Sequence, residues 1–353
     1  MTIIIFLLVA IVSAIVLQHI FLSNTLKNVT YRSRPSKDVV EPNEQFTIIS
    51  ELHNNKRLPE FYIHVSEKFP SEAILREEAE KWIHRTFYIR SYQRITSYRT
   101  IALPKRGRYL LQGATLTGGD FLGMKTKIET RYQSREIIVS PERADSPVIN
   151  KLLGGFLGDI SVRRFIMPDP VLAVGVREYS GQEPQKDISW VHSARAGQLQ
   201  VKLYDYTLEL AAAVMLNIQT DVCEDLLEQC LCLCRTVCEY LEKKSIKYSF
   251  ATNAIAVGSV KFKESITDGL GKGHLLSVLE WLGRSSVYAR SQSFESLLNK
   301  ALRKAEQSRF HIIVTPVAPS QNLQLLINRL RVTTGVEVLV ITPDKISDSR
   351  IGD

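Results

Sequence analysis

The sequence predicts an N-terminal transmembrane helix, then an all-β sandwich domain, then an α/β domain with a mainly parallel sheet. Three observations predict this. The run Ile3–Leu22 carries no charged side chain. From Tyr31 to Ser140, short segments rich in β-branched and aromatic residues alternate with polar turns. After Leu208, continuous apolar runs alternate with stretches of helical period.

The apolar run comes first. At about 1.5 Å per helical residue it spans ~30 Å, the thickness of a bilayer's hydrocarbon core. Residues 1–24 are therefore read as a single-pass anchor, with the lipid bilayer as partner through residues 3–22. A cleaved signal peptide needs a basic n-region, a shorter apolar core and a small-residue cleavage site. No Lys or Arg precedes this run, and His19, Ile20, Phe21 and Leu22 suit no such site. The C-terminal flank carries Lys27, Arg32, Arg34 and Lys37. Basic flanks stay on the cytoplasmic side, so the body is expected in the cytoplasm.

The chain has 353 residues, of which 44% are hydrophobic, enough for two cored domains behind the anchor. Its net charge is +8. A nucleic-acid binder concentrates such charge in a stripe or a known module. Here Lys and Arg are scattered and no basic run interleaves with aromatics, so no nucleic-acid partner is expected. Solvated surface charge, with attraction to an anionic membrane second, explains the balance.

Residues 30–141 are assigned to the sandwich, with strands at Phe46–Leu52, Phe61–Glu67, Tyr98–Leu103, Tyr109–Leu116 and Glu136–Val139. Ser71–Arg85, SEAILREEAEKWIHR, reads as a short helix or charged insertion. Residues 142–205 read as a connecting segment, broken at Gly154-Gly155 and Pro168-Asp169-Pro170. Residues 206–345 form the α/β domain. Its strands are Leu210–Ile218, Lys247–Thr252, Phe310–Val317 and Val336–Thr342. Its helices are Val222–Lys243, Gly273–Leu282, Phe294–Glu306 and Gln321–Arg331. Apolar strands separated by amphipathic helices mean a parallel sheet covered on both faces.

All five cysteines fall between Cys223 and Cys238. Cys223, Cys230, Cys234 and Cys238 share one helical face with Leu227 and Leu241. No C-x-x-C pair is present, so reduced, core-facing thiols are expected rather than a metal or redox site. There is no G-x-G-x-x-G and no P-loop. The glycines of Gly269-Leu270-Gly271-Lys272-Gly273 read as a turn before a helix. The seven histidines are dispersed, without H-x-x-x-H or H-E-x-x-H spacing. No catalytic residue, cofactor or metal is assigned. In open parallel sheets ligands sit at the carboxyl ends of strands, here Asn217–Asp221 and Thr315-Pro316.

The segment Val176–Tyr204, VREYSGQEPQKDISWVHSARAGQLQVKLY, carries a resemblance. It is similar to the signature of the bacterial family known as domain of unknown function 58. Arg177, Glu178, Tyr179, Ile188, Trp190, Ala194 and Arg195 match. Gln182 and Glu183 replace the usual Gly-Asp, Ser189 replaces an Asp, and Lys186 stands where Arg is common. Arg106-Gly107-Arg108-Tyr109 and Asp120-Phe121-Leu122-Gly123 resemble two shorter family motifs. The resemblance covers most of the chain and implies a von Willebrand factor A-like α/β domain. It also implies partnership with a MoxR-type AAA+ ATPase in assembling or remodelling other proteins.

Typical A-domains bind a divalent cation through Asp-x-Ser-x-Ser and a distal Thr and Asp. The matching positions here are Asn217, Gln219, Asp221 and Thr315, so that site is expected to be degenerate. Arg177, Glu178 and Arg195 are open to two readings, a buried ion network between domains or partner contact. Tyr179 and Trp190 are open to core packing or partner contact, with Trp190, between Ile188 and Val191, expected to face a core. The expectation is a non-enzymatic interaction protein. Its rivals are a metal-dependent adhesion-type module and a hydrolase with an unrecognised site, conceivable through Cys223.

Overall fold

A computed structural model describes all residues except 1, 76–81, 121–124, 145, 165–172, 182, 205–210, 259–264, 304–308, 336 and 345–353. The chain divides into two compact units. The first comprises Met1–Glu142, Ala256–Val260 and Leu279–Ser285; the second comprises Arg143–Ile255, Lys261–Val278 and Ser286–Asp353.

The first unit begins with helix α1 (Thr2–Asn24), of which Ile3–Asn24 has a mean hydropathy of 2.8 and no buried residue. It is long and apolar enough to cross a membrane. Among the described residues the strands that follow are β1 (Val29–Pro35), β2 (Val39–Val40), β3 (Gln45–Asn54), β4 (Glu60–Lys68), β5 (Ile74–Leu75), β6 (Trp82–Ile89), β7 (Arg94–Ala102), β8 (Gly107–Gly119) and β9 (Thr126–Val139). They form two sheets, ordered β1-β3-β7-β5 and β2-β9-β8-β4-β6. Every pairing is antiparallel except β2 with β9. β3 alternates inward and outward, as a half-buried strand must. Its Phe46 and Ile48, with Ile101 of β7, pack against Tyr109, Leu111, Ile137 and Val139 of the other sheet.

Two differences from the sequence reading have physical causes. The described parts of Ser71–Arg85 are strands β5 and β6, not a helix; residues 76–81 of that stretch lie outside the described residues. Pairing of β6 with β4 satisfies its backbone and overrides local helix propensity. β9 also extends to Thr126. Its first nine residues include none that is buried, so they offer no apolar pattern to read.

Beyond Glu142 the elements are α2 (Pro147–Arg164), β10 (Ala173–Glu178), α3 (Trp190–Ala196), β11 (Gln200–Tyr204), β12 (Ala211–Leu216), α4 (Glu224–Lys243), β13 (Lys247–Thr252), β14 (Ala254–Ala256), β15 (Ser265–Gly269), α5 (Lys272–Arg284), β16 (Ser285–Arg290), α6 (Phe294–Arg303), β17 (Arg309–Val314), α7 (Gln321–Thr334) and β18 (Val338–Ile341). The central sheet runs β15-β13-β12-β17-β18. The pairings of β12 with β13, β12 with β17, and β17 with β18 are parallel, and β15 is antiparallel to β13.

The central strand AAAVML is apolar throughout because both its faces are covered. On one face Ala213, Met215 and Ile313 meet Leu297 and Leu298 of α6 and Leu323, Ile327 and Leu330 of α7. On the other lie α4 and α2, with Phe156 of α2 edge-on to Phe310 at 5.7 Å between ring centroids.

Helix α2 lies within residues 142–205, where the sequence reads a connecting segment broken at Gly154-Gly155. Gly154 and Gly155 lie inside this helix instead of breaking it. Each helical glycine costs ~1 kcal/mol, but burying Ile149, Leu153, Phe156 and Ile160 on one stripe gains more. Pro168, Asp169 and Pro170 lie outside the described residues. In α4, Cys230, Cys234 and Cys238 are buried with Leu227 and Leu241, while Cys223 is exposed. Cys223 occupies the N-cap position, outside the helix, where the helical period no longer applies. Gly271 has φ +104, and its N–H donates to the Glu242 carboxylate at 2.9 Å, anchoring the turn before α5.

Candidate functional site

β12, β13 and β17 end side by side, and a polar residue follows each: Asn217, Asn253 and Thr315. All three are buried. Asn217 Nδ2 donates to Thr315 Oγ1 at 3.1 Å. Asn253 Nδ2 donates to Asn217 Oδ1 at 3.2 Å and to the Ile218 carbonyl at 2.9 Å. The Ile218 N–H donates to Asn253 Oδ1 at 2.7 Å, and the Thr315 hydroxyl donates to the Val317 carbonyl at 3.3 Å. Each buried polar group thus finds a partner within the cluster.

Gln219 is half-buried and Asp221 exposed, and neither bonds to this network. The donor set does not suit a hard divalent cation, which takes several oxygens and favours carboxylates. Both asparagine amide oxygens already accept N–H donors. Asn253 escaped the sequence reading. Its signal is a polar residue directly after a strand, the position that Asn217 and Thr315 also hold.

The signature segment folds as an antiparallel pair, β10 with β11, enclosing a 3-10 turn at Gln185–Asp187 and the short helix α3. Ile188 bridges to Val201 and is buried. Ser193, also buried, donates to the Ser189 carbonyl at 2.8 Å and accepts the Gln200 N–H at 2.8 Å. With Ser189, Gln200 and Val201, which are also buried, these two residues form the inward side of the segment. Trp190 is 65% exposed and Val191 64%. Ala194 and Arg195 are exposed on the same side of α3.

The expectation that Trp190 faces a core is therefore corrected. α3 starts at Trp190, so Ile188 belongs to the extended stretch before it and the inward turn of the helix falls on Ser193. The buried ion network is corrected as well. Arg177 and Glu178 are exposed. Arg177 Nη2 pairs with Glu183 Oε1 at 2.5 Å, and Gln198 Nε2 donates to Glu178 Oε1 at 2.6 Å. Glu183 also accepts from the Ser180 hydroxyl at 2.6 Å and the Ser180 N–H at 3.0 Å. The Ser180 hydroxyl foremost, then Arg177, lowers the Glu183 carboxyl to about 2. Arg195 has no hydrogen-bond or ion-pair partner among the described residues, and Tyr179 is half-buried. Gln182 lies outside the described residues.

The shorter motif Arg106–Tyr109 has a structural task within the first unit. Arg106 Nη1 donates to the carbonyls of Leu282 at 2.9 Å and Ser285 at 2.7 Å, groups that the end of α5 leaves without helical partners. Arg108 Nη2 pairs with Glu136 at 2.7 Å, and Arg284, 7% exposed, pairs with Glu136 at 2.5 Å and Glu280 at 3.0 Å. The Tyr109 hydroxyl donates to the Lys105 carbonyl at 2.9 Å. Of the motif Asp120–Gly123, only Asp120 is described, and it is buried.

No protein-family model matches the chain, and no curated protein matches it. Among solved structures, the CARDB domain of a Pyrococcus furiosus protein with di-metal ions aligns at 12% identity and TM-score 0.23, over 31% of this chain and 91% of that one. Native alpha-2-macroglobulin from Escherichia coli, from domain MG7 to its C-terminus, aligns at 16% identity and TM-score 0.26, over 33% of this chain and 17% of that one. The cupredoxin domain of amoB from Nitrosocaldus yellowstonii aligns at 9% identity and TM-score 0.22, over 35% of this chain and 94% of that one. None of the three is similar enough to carry a family or an activity to this chain.

Proposed function

We propose that the chain is a membrane-anchored, non-enzymatic interaction protein of the domain of unknown function 58 kind. Its α/β unit is von Willebrand factor A-like, its body lies in the cytoplasm, and its partner is a MoxR-type AAA+ ATPase acting with it on other proteins. The observation that carries this reading is the exposure of the signature: Trp190 at 65% and Val191 at 64%, with Arg177 and Arg195 also exposed. Tryptophan and arginine are the side chains that most often anchor protein interfaces. A guanidinium with no partner among the described residues, as at Arg195, is available for bidentate recognition of a carboxylate. At the strand ends, where a ligand of such a sheet belongs, the polar groups are amides and a hydroxyl bonded to one another.

Affinity recovery of the tagged full chain from detergent-solubilised membranes, with and without ATP, tests the reading. An AAA+ ATPase is expected to co-purify in at least one nucleotide state. Its absence from both would overturn the partnership. The adhesion-type rival is tested by calorimetry of the solubilised chain with magnesium. Weak binding or none is expected, and sub-millimolar affinity abolished by Asp221→Ala would restore that rival.

A further inference from the structure

The apolar helix and the sandwich overlap. Gln18 Nε2 of α1 donates to the buried Asp120 Oδ2 at 2.7 Å, and Phe21 lies edge-on to Phe61 at 5.3 Å between ring centroids. Just past the helix, Thr25 and Leu26 are buried in the sandwich. The Leu26 N–H donates to Glu60 Oε1 at 3.0 Å, and Arg131 Nη2 donates to the Leu26 carbonyl at 3.2 Å. Lys56 Nζ holds both the Asn24 carbonyl and Glu60. Gly118 is what lets the chain pass this closely, because a Cβ there would lie 2.4 Å from Thr25 Cγ2. The helix thus enters the sandwich without slack.

This attachment ends the free part of α1 at Leu17. Residues 18–21, the end of the apolar run, already lie alongside the sandwich, so a bilayer that covers the run reaches this end of the sandwich. At that level Phe61 continues from Phe21 to Tyr88, 5.9 Å between ring centroids. Tyr62, Tyr88 and Tyr92 are exposed at the same end. On its described turns the exposed charged side chains are Lys27, Arg57, Arg90 and Lys125, all basic. The acids there, Glu60 and Asp120, are buried and bonded to Leu26 and Gln18.

We infer that this end of the sandwich is seated in the lipid headgroup layer. Phe61, Tyr62, Tyr88 and Tyr92 lie at the hydrocarbon boundary, and Lys27, Arg57, Arg90 and Lys125 lie on anionic phosphates. Aromatic rings with one wet edge favour that depth, and juxtamembrane cations are drawn to an anionic leaflet. The inference rests on reading α1 as membrane-spanning.

The test is photolabelling of the full chain in phosphatidylcholine–phosphatidylglycerol liposomes, using a lipid with a diazirine near its headgroup and peptide mapping of the adducts. Label is expected on α1 and also on peptides containing Phe61, Tyr62, Tyr88 and Tyr92. The double variant R57E/R90E, or four leucines inserted after Leu17 to lengthen the free span by ~6 Å, is expected to cut sandwich labelling severalfold and leave α1 labelled. Label on α1 with none on the sandwich, or sandwich labelling unmoved by either change, would overturn the inference. Absence of label from α1 would sink the anchor reading as well.

Discussion

Glu136 accepts hydrogen bonds from Arg108 at 2.7 and 2.9 Å and pairs with Arg284 at 2.5 Å. Burial by itself raises its carboxyl, but the Arg284 and Arg108 guanidiniums overcome this and hold it below the usual carboxylate range. A lowered carboxyl contributes stability above its unfolded value, ~4.3, and that stability is lost as pH falls through the folded value. Glu136→Gln is therefore expected to destabilise on the order of 1 kcal/mol at pH 7, after discounting for solvent screening, with the difference from wild type shrinking by pH 3. Urea midpoints at the two pH values check it, and an equal difference at both would refute it.

Trp190→Ala and Arg195→Ala are each expected to change stability by less than ~0.5 kcal/mol, because both side chains are exposed. Thermal melts decide, and a loss of ~3 kcal/mol for Trp190→Ala would return that residue to a core. At this scale the residues were easier to read than their tasks. Arg106 stood out as part of a motif, but the carbonyls it meets belong to residues 282–285, and no local pattern links them. Trp190 was misread because its direction depends on where α3 begins, which spacing from Ile188 does not reveal.

Helix α4 and the sheet it covers were legible because continuous apolar strands and a 3.6-residue stripe have few other solutions. Its thiols offer a direct check. Burial first, then neighbouring thiols, pushes Cys230 up; the Cys234 contact and burial do the same for Cys238. In native protein at pH 8 a thiol reagent is expected to reach exposed Cys223 rapidly and buried Cys230, Cys234 and Cys238 slowly or not at all, with all five thiols modified after denaturation. Fast reaction of three or more in the native state would contradict this packing. Helix α2 was hidden because its glycines look like breakers and its partner Phe310 lies far along the chain. Phe156→Ala is expected to cost ~3–5 kcal/mol as a large-to-small core change, read from denaturant midpoints. The polar first half of β9 was hidden for a different reason: register with β8 places it in the sheet, although it buries no residue.

For the whole molecule, charge-free length and composition identified the apolar helix, and alternation identified the β-rich region behind it. Which side of a membrane the body occupies is the part that flanking charge alone proposes. Protease added to right-side-out vesicles is expected to leave the body intact, and complete digestion would reverse the topology. Central to the account is that the exposed signature serves a partner rather than the fold. The double variant W190A/R195A, recovered from detergent-solubilised membranes beside wild type, tests that most directly. The account predicts a Tm close to wild type together with loss of the co-purifying AAA+ ATPase. Wild-type recovery of the ATPase by the double variant would contradict it.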